Sequence, residues 1–159
     1  MSSDPTPSSQ PSGRIPARYP DAPRVAVGAV VFRRGRVLLV KRGRPPAEGD
    51  WAIPGGGVDL GETLQAAAER EVLEETGVAV RAGEPVFTFD AVDRDDAGRV
   101  RFHYVIVDLA AEYVAGEPRP GDDAADARWV GPDDIKNLPV NRVTRRLLAE
   151  RFGFGNGGT

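Results

Sequence analysis

Short β-branched, apolar runs flank one strongly helical stretch, and a second helical pattern closes the chain. Arg24–Phe32 and Arg36–Lys41 are apolar runs separated by Arg33, Arg34 and Gly35, which predicts a β-hairpin. Trp51–Ile53 reads as a short strand leading into Gly55, Gly56 and Gly57, a predicted turn whose residues can take positive φ. From Thr63 to Thr76 the chain holds Ala, Leu, Gln, Glu and Arg without Gly or Pro until Gly77, which predicts a helix with a glycine stop. Pro85–Val92 and Val100–Leu109 then form a longer antiparallel pair joined by the polar loop DRDDAG. Ala127–Val130 adds a strand, Pro132–Asn137 a short helix, and Asn141–Phe152 a last helix with Asn141 as its N-cap. This order predicts an α/β fold, an α/β/α sandwich around a mixed sheet.

At 159 residues the chain suits a single domain with a real core. Residues 1–23 are Ser- and Pro-rich with little beyond Ile15 and Tyr19 to bury, so they are expected to be a disordered or loosely attached tail. The folded unit is expected over 24–152, followed by a flexible Gly-rich end over 153–159. A net charge of −3 supplies no field toward nucleic acid or membranes. Without cysteine, disulfides, thiolate metal sites and thiol nucleophiles are excluded. No apolar run approaches a membrane span and the N-terminus lacks a signal-peptide core, so a cytoplasmic location is expected.

The chemistry concentrates in residues 56–78, GGVDLGETLQAAAEREVLEETGV. On a helix, Glu71, Glu74 and Glu75 share one edge. Such crowding destabilises an isolated helix, and a hard divalent cation that prefers oxygen ligands would offset the repulsion. Leu64, Ala68 and Val72 repeat every four residues, so Glu71 and Glu75 are expected to border the apolar face. Arg70 lies four residues before Glu74, where its guanidinium can hold that carboxylate. A solvated helix face is the plainer reading of EREVLEE, but the glycine run upstream and the crowding of acids favour a metal.

Gly56, Glu62, Arg70, Glu71, Glu74, Glu75 and Gly77, with Val72 and Val78 at the aliphatic positions, match the Nudix box G-x5-E-x7-R-E-U-x-E-E-x-G-U at every fixed letter. From average residue usage, an accidental match is on the order of one in ten million or rarer. The chain thus resembles a Nudix hydrolase, a family that cleaves nucleoside diphosphates linked to a further moiety X. The resemblance implies Glu71, Glu74 and Glu75 as metal-ligating carboxylates, the Gly55 carbonyl as a backbone ligand, and Glu62 with Arg70 as the pair that orients them. It implies Mg2+ or Mn2+ as cofactor. The general base is either a box glutamate, Glu71 or Glu74, or a later acid in GDDAADARWV, of which Asp123 has the nearest spacing; a solvated acidic loop is the plainer account of that segment.

Arg42 and Arg44, at the end of a strand and in the loop KRGRPPAEGDW, are candidate phosphate contacts. The stretch LLVKRGRPPAEGDWAIPGGGVDLGET resembles the bacterial ADP-ribose pyrophosphatase-like branch of the family, although the proline that marks many ADP-ribose hydrolases has no counterpart in residues 91–96, AVDRDD. The expected substrate is a nucleotide-derived small molecule, ADP-ribose or a similar nucleoside diphosphate sugar first. A sanitising nucleoside triphosphate pyrophosphatase and a non-catalytic Nudix binding domain are the alternatives, and the complete set of acids opposes the last. Asn141 is either a purine reader or a helix cap, and the cap is preferred. His103 is read as a strand residue, Phe87, Phe89, Phe102 and Tyr104 as core or cross-strand partners, and the arginines of the last helix as a solvated face. Nucleic acid and membrane are not expected as partners, and homodimerisation is left open.

Overall fold

The computed structural model describes residues 18–44, 47–121 and 123–156. In chain order the strands are β1 (Arg24–Arg33), β2 (Arg36–Arg42), β3 (Trp51–Ala52) and β4 (Gly55–Gly57), followed by helix α1 (Leu64–Thr76). Then come β5 (Ala79–Arg94), β6 (Val100–Ala115), β7 (Ala124–Val130), a 3-10 turn at Asp134–Asn137 and helix α2 (Arg142–Phe152). The strands form a seven-stranded sheet of order β3-β2-β1-β6-β5, with β4 on β1 and β7 on β2. β1 and β6 run parallel while the other strand pairs are antiparallel, so the sheet is mixed as expected.

Alternation along the strands divides the core between two faces. Val27, Ala29, Val31 and Leu38 pack with Ala67, Ala68 and Val72 of α1. Their neighbours Val30, Val37 and Leu39 turn the other way and pack with Trp51 and with Leu147 and Leu148 of α2. Each helix therefore covers one face of the sheet, which is the sandwich read from the sequence. The polar groups of Arg145 and Arg146 stay at the rim, where Arg145 donates to the Leu138 carbonyl and Arg146 meets Glu150 at 2.9 Å.

Three elements differ from expectation. β5 and β6 each run over 16 residues, because register shifts between Ala82, Pro85 and Phe87 let the ladder continue past Gly83 and Pro85, where sequence punctuation suggested a boundary. The short helix at Pro132–Asn137 is a 3-10 turn that starts at Asp134. Tyr19, assigned to the tail, is fastened to the β5–β6 hairpin: its N–H donates to the Arg101 carbonyl at 3.0 Å and its hydroxyl to Asp95 Oδ2 at 2.9 Å. Ile15 lies outside the described residues.

Asn141 caps α2, its Oδ1 accepting from Val143 N at 2.9 Å and Thr144 N at 3.4 Å. Those bonds occupy the side-chain oxygen and favour the capping role. Asn141→Ala is expected to lower stability by about 1 kcal/mol in chemical denaturation. Asn141→Ser should recover most of that, and both variants should keep the wild-type ranking of nucleotide substrates.

Candidate active site

Helix α1 is fixed at both ends. Thr63 Oγ1 accepts from Ala66 N at 3.0 Å, and Gly77 takes the left-handed conformation at φ 73° with its N–H on the Leu73 carbonyl. Beyond Gly77, the backbone of Arg119 and Gly121 donates to the carbonyls of Thr76 at 2.8 Å and Glu75 at 2.9 Å. The final turn of the helix, which carries Glu74 and Glu75, is thereby tied to the segment leading into β7.

The three glycines are a strand, not the expected turn. Gly55, Gly56 and Gly57 pair with Gly28, Val27 and Ala26 of β1, and none has positive φ. Glycine is required here by close approach. A Cβ on Gly55 would strike the Val27 carbonyl, and one on Gly56 would lie 2.5 Å from the carboxyl carbon of Glu71. β2 pairs with β1 only near Val37, and β4 takes its place lower on β1, so the glycine backbone lies inside the sheet and directly against α1.

Against that backbone stand Glu71 and Glu75. Glu71 is 7% exposed, and burial pushes its carboxyl above the usual glutamate range despite the opposing pull of Arg70. Glu75 Oε2 accepts from Gly55 N at 3.3 Å. Arg70 departs from the expected i,i+4 pairing: it meets Glu74 only at 3.5 Å. Its strong contacts are a two-pronged bond to Glu62 at 2.7 and 2.8 Å, Glu71 Oε1 at 2.7 Å and the Gly57 carbonyl at 3.0 Å. The loop at Asp59–Glu62 brings Glu62 beside Arg70, and this closer acid captures the fork. The guanidinium holds the Glu62 carboxyl below the usual range, and Glu62 in turn raises that of Arg70. Glu62 and Arg70 are thus paired directly beside Glu71.

Among the described residues no three His, Cys, Asp or Glu side chains converge as a ready metal cage. The donor chemistry still suits a hard cation. The Glu71 and Glu75 carboxylates lie against the Gly55–Gly56 backbone with no side chain between them, and Glu71 is a buried acid whose carboxyl burial pushes up.

Arg44 and Asp123, assigned separately from the sequence, are brought together, with Arg44 Nε 3.1 Å from Asp123 Oδ1. The Gly43 N–H also donates to the Asp123 carbonyl at 3.0 Å, and Arg42 pairs with Ala124 across β2 and β7. These residues occupy the end of β2 nearer the glycine strand. Asp122 lies outside the described residues. His103 pairs with Val92 in the β5–β6 ladder, as a strand residue. One buried acid escaped the sequence reading: Asp108 of β6, 3% exposed. Its signal was a lone carboxylate inside the apolar run YVIVDLAA.

The chain thus presents a two-faced mixed sheet with a glutamate-bearing helix docked on a glycine strand. The NUDIX domain matches residues 22–151, and the chain belongs to the Nudix family. It is 35% identical to an ADP-ribose pyrophosphatase from Methanocaldococcus jannaschii over 74% of this chain, and spans 65% of that relative's length. It is 30% identical to the nucleoside triphosphatase NudI of Escherichia coli, covering 79% of this chain and 94% of the relative. Among solved structures, a MutT NUDIX hydrolase from Burkholderia pseudomallei is similar with a TM-score of 0.70 and 37% identity, over 83% of this chain and 99% of that one. Nudix hydrolases generally use divalent metals. Among the described residues, no helix is long and apolar enough to cross a membrane.

Proposed function

We propose that this chain is a metal-dependent pyrophosphohydrolase acting on a nucleoside diphosphate linked to X, with ADP-ribose or a similar nucleoside diphosphate sugar as the first substrate to test. The observation that carries the reading is the seating of Glu71 and Glu75 against the bare glycine backbone, held by the Arg70–Glu62 pair. The relative named as an ADP-ribose pyrophosphatase supports the choice of substrate. The NudI relative, of which the chain covers 94%, favours a nucleoside triphosphate as the second reading. A purely binding domain is disfavoured by the complete set of box acids.

Glu71, Glu74, Glu75 and the Gly55 carbonyl would hold Mg2+ or Mn2+. When bound, such an ion neutralises charge on the leaving phosphate and lowers the pKa of the attacking water. The chain's own groups do the rest. Arg70 fixes Glu71 through Oε1 and ties it to the Gly57 carbonyl, so the carboxylate meets its ligand already oriented. Arg42 and Arg44 bind phosphate oxygens, with Asp123 setting the direction of Arg44. Glu71, Glu74 or Asp123 accepts the water proton as the oxygen–phosphorus bond forms and the bridging P–O bond breaks.

Incubation with ADP-ribose in 18O water is expected to give AMP and ribose 5-phosphate, with one product carrying the label and no free orthophosphate. A triphosphate substrate should give a monophosphate and pyrophosphate. Mass spectrometry of the products locates the attacked phosphorus, and excess EDTA should abolish turnover. Orthophosphate as the main initial product, or full activity in EDTA, would count against the reading.

A further inference from the structure

Asp108 stands apart from the glutamate site and has no structural partner to explain it. It is 3% exposed at the middle of β6, and among the described residues its carboxyl has neither a hydrogen bond nor an ion pair; burial alone raises its pKa from 3.8 to about 6. An uncompensated buried carboxyl weakens a fold. Groups of this kind concentrate where a ligand uses them.

Its surroundings indicate the ligand. Gly28 of β1 lies opposite Asp108, and a Cβ there would strike Asp108 Oδ1 and come within 2.8 Å of Ile53 Cδ1. The missing side chain makes the space that the carboxyl occupies. On the other flank Phe87 pairs with Asp108, and Phe89 with Ile106. Directly paired residues share a face of the sheet, so these side chains line one surface. Phe87 joins the cluster under α2, but Phe89 and Ile106 belong to neither core cluster and stay half-exposed. The two phenyl rings stand 5.8 Å apart. Across Gly28 the same face reaches Gly55, whose N–H is on Glu75. Two strand spacings, about 10 Å, separate Asp108 from that glycine.

An apolar, partly aromatic wall with one buried acceptor, adjoining a centre for phosphate chemistry, matches a nucleobase. We propose that Asp108 is a specificity-determining residue that accepts a hydrogen bond from the amino-bearing edge of a purine base, so that adenine or guanine is bound in preference to unsubstituted purine. The inference rests on the box as a nucleotide centre. At pH 8 the carboxylate only accepts hydrogen bonds. The adenine amino group, or the N–H and amino group of guanine, supplies donors to it. Unsubstituted purine has neither an exocyclic amine nor an N1–H, so the same edge offers the carboxylate no donor and turns the N1 lone pair toward it.

Calorimetric titration of AMP, GMP and purine riboside 5′-monophosphate at pH 8 tests this without relying on turnover. Wild type should bind AMP or GMP at least about 10-fold more tightly than the purine riboside nucleotide, the range of a hydrogen bond to a charged group. Asp108→Asn, which both donates and accepts, should bring the ratio to within about 3-fold by the same reasoning. Asp108→Leu should abolish it. Both variants should melt at or above the wild-type temperature, since they remove an unpaired buried charge. Equal wild-type affinity for all three nucleotides, absence of measurable binding to any of them, or variants that melt lower while keeping the preference would overturn the assignment. Base discrimination in a protein that hydrolyses no nucleotide would leave this assignment standing and remove the proposed hydrolysis. Hydrolysis of ADP-ribose with no base discrimination would do the reverse.

Discussion

Glu71→Gln and Glu75→Gln are each expected to lower kcat by at least about 100-fold, the upper end of what loss of a supporting group around a metal costs, while leaving the fold intact. Each substitution keeps the size of the side chain and removes its charge. For Glu71, the lost attraction to Arg70 at 2.7 Å is offset by relief of a buried charge whose pKa burial already pushes up. For Glu75, the remaining amide oxygen can still accept the Gly55 N–H. Stability should therefore change little, and the loss should fall on the affinity for divalent ion and on the chemical step. Turnover measured across a Mg2+ and Mn2+ titration, beside thermal melting by circular dichroism, separates these effects. Both variants within a few-fold of wild-type turnover would remove the box from the mechanism.

Much of this architecture was readable from local pattern. The alternation that sends Val27, Ala29 and Val31 to one helix and Val30 to the other is written in β1 itself. The Thr63 cap and the Gly77 stop follow from residue chemistry. The parts that were not readable depend on chain segments that meet only after folding. Nothing in GGG says that β2 leaves β1 and opens a place for a glycine strand, and so a turn was the natural reading of residues that the fold needs for clearance. Arg70 is four residues from Glu74 and eight from Glu62, so a local rule selects Glu74. The preceding loop nevertheless delivers Glu62 to the guanidinium. Asp108 was hidden for the same reason, because its isolation is created by Gly28 and Phe87 from two other strands.

Arg70→Met should expose how the site balances its own charge, with a stability loss of about 3 kcal/mol in metal-free buffer. Removing one partner of a buried pair typically costs about 3–5 kcal/mol, and the lower end applies because the Arg70 side chain keeps 22% of its exposure. In a chain of this size that corresponds to a fall of about 6–12 °C in melting temperature. The deficit should shrink at acid pH, and the sign follows from the two acids that lose their partner. Glu62, held low by Arg70, contributes stability above its unfolded pKa that is lost as pH falls, so wild type loses an advantage that the variant never had. Glu71 is already raised by burial and rises further without Arg70. The folded variant then binds more protons than the unfolded chain, and its stability falls as pH increases. The gap between wild type and variant should therefore be smaller at pH 5 than at pH 8. Divalent ion should narrow it as well, because a cation held by Glu71, Glu74 and Glu75 supplies part of the positive charge removed with the guanidinium. If the ion binds those acids, added Mg2+ must raise the melting temperature of Arg70→Met by mass action, and that rise must vanish when Glu71→Gln and Glu75→Gln are added to it. A melting temperature for Arg70→Met that ignores both pH and Mg2+ would mean that Arg70 acts through packing alone and that these carboxylates do not form the ion site.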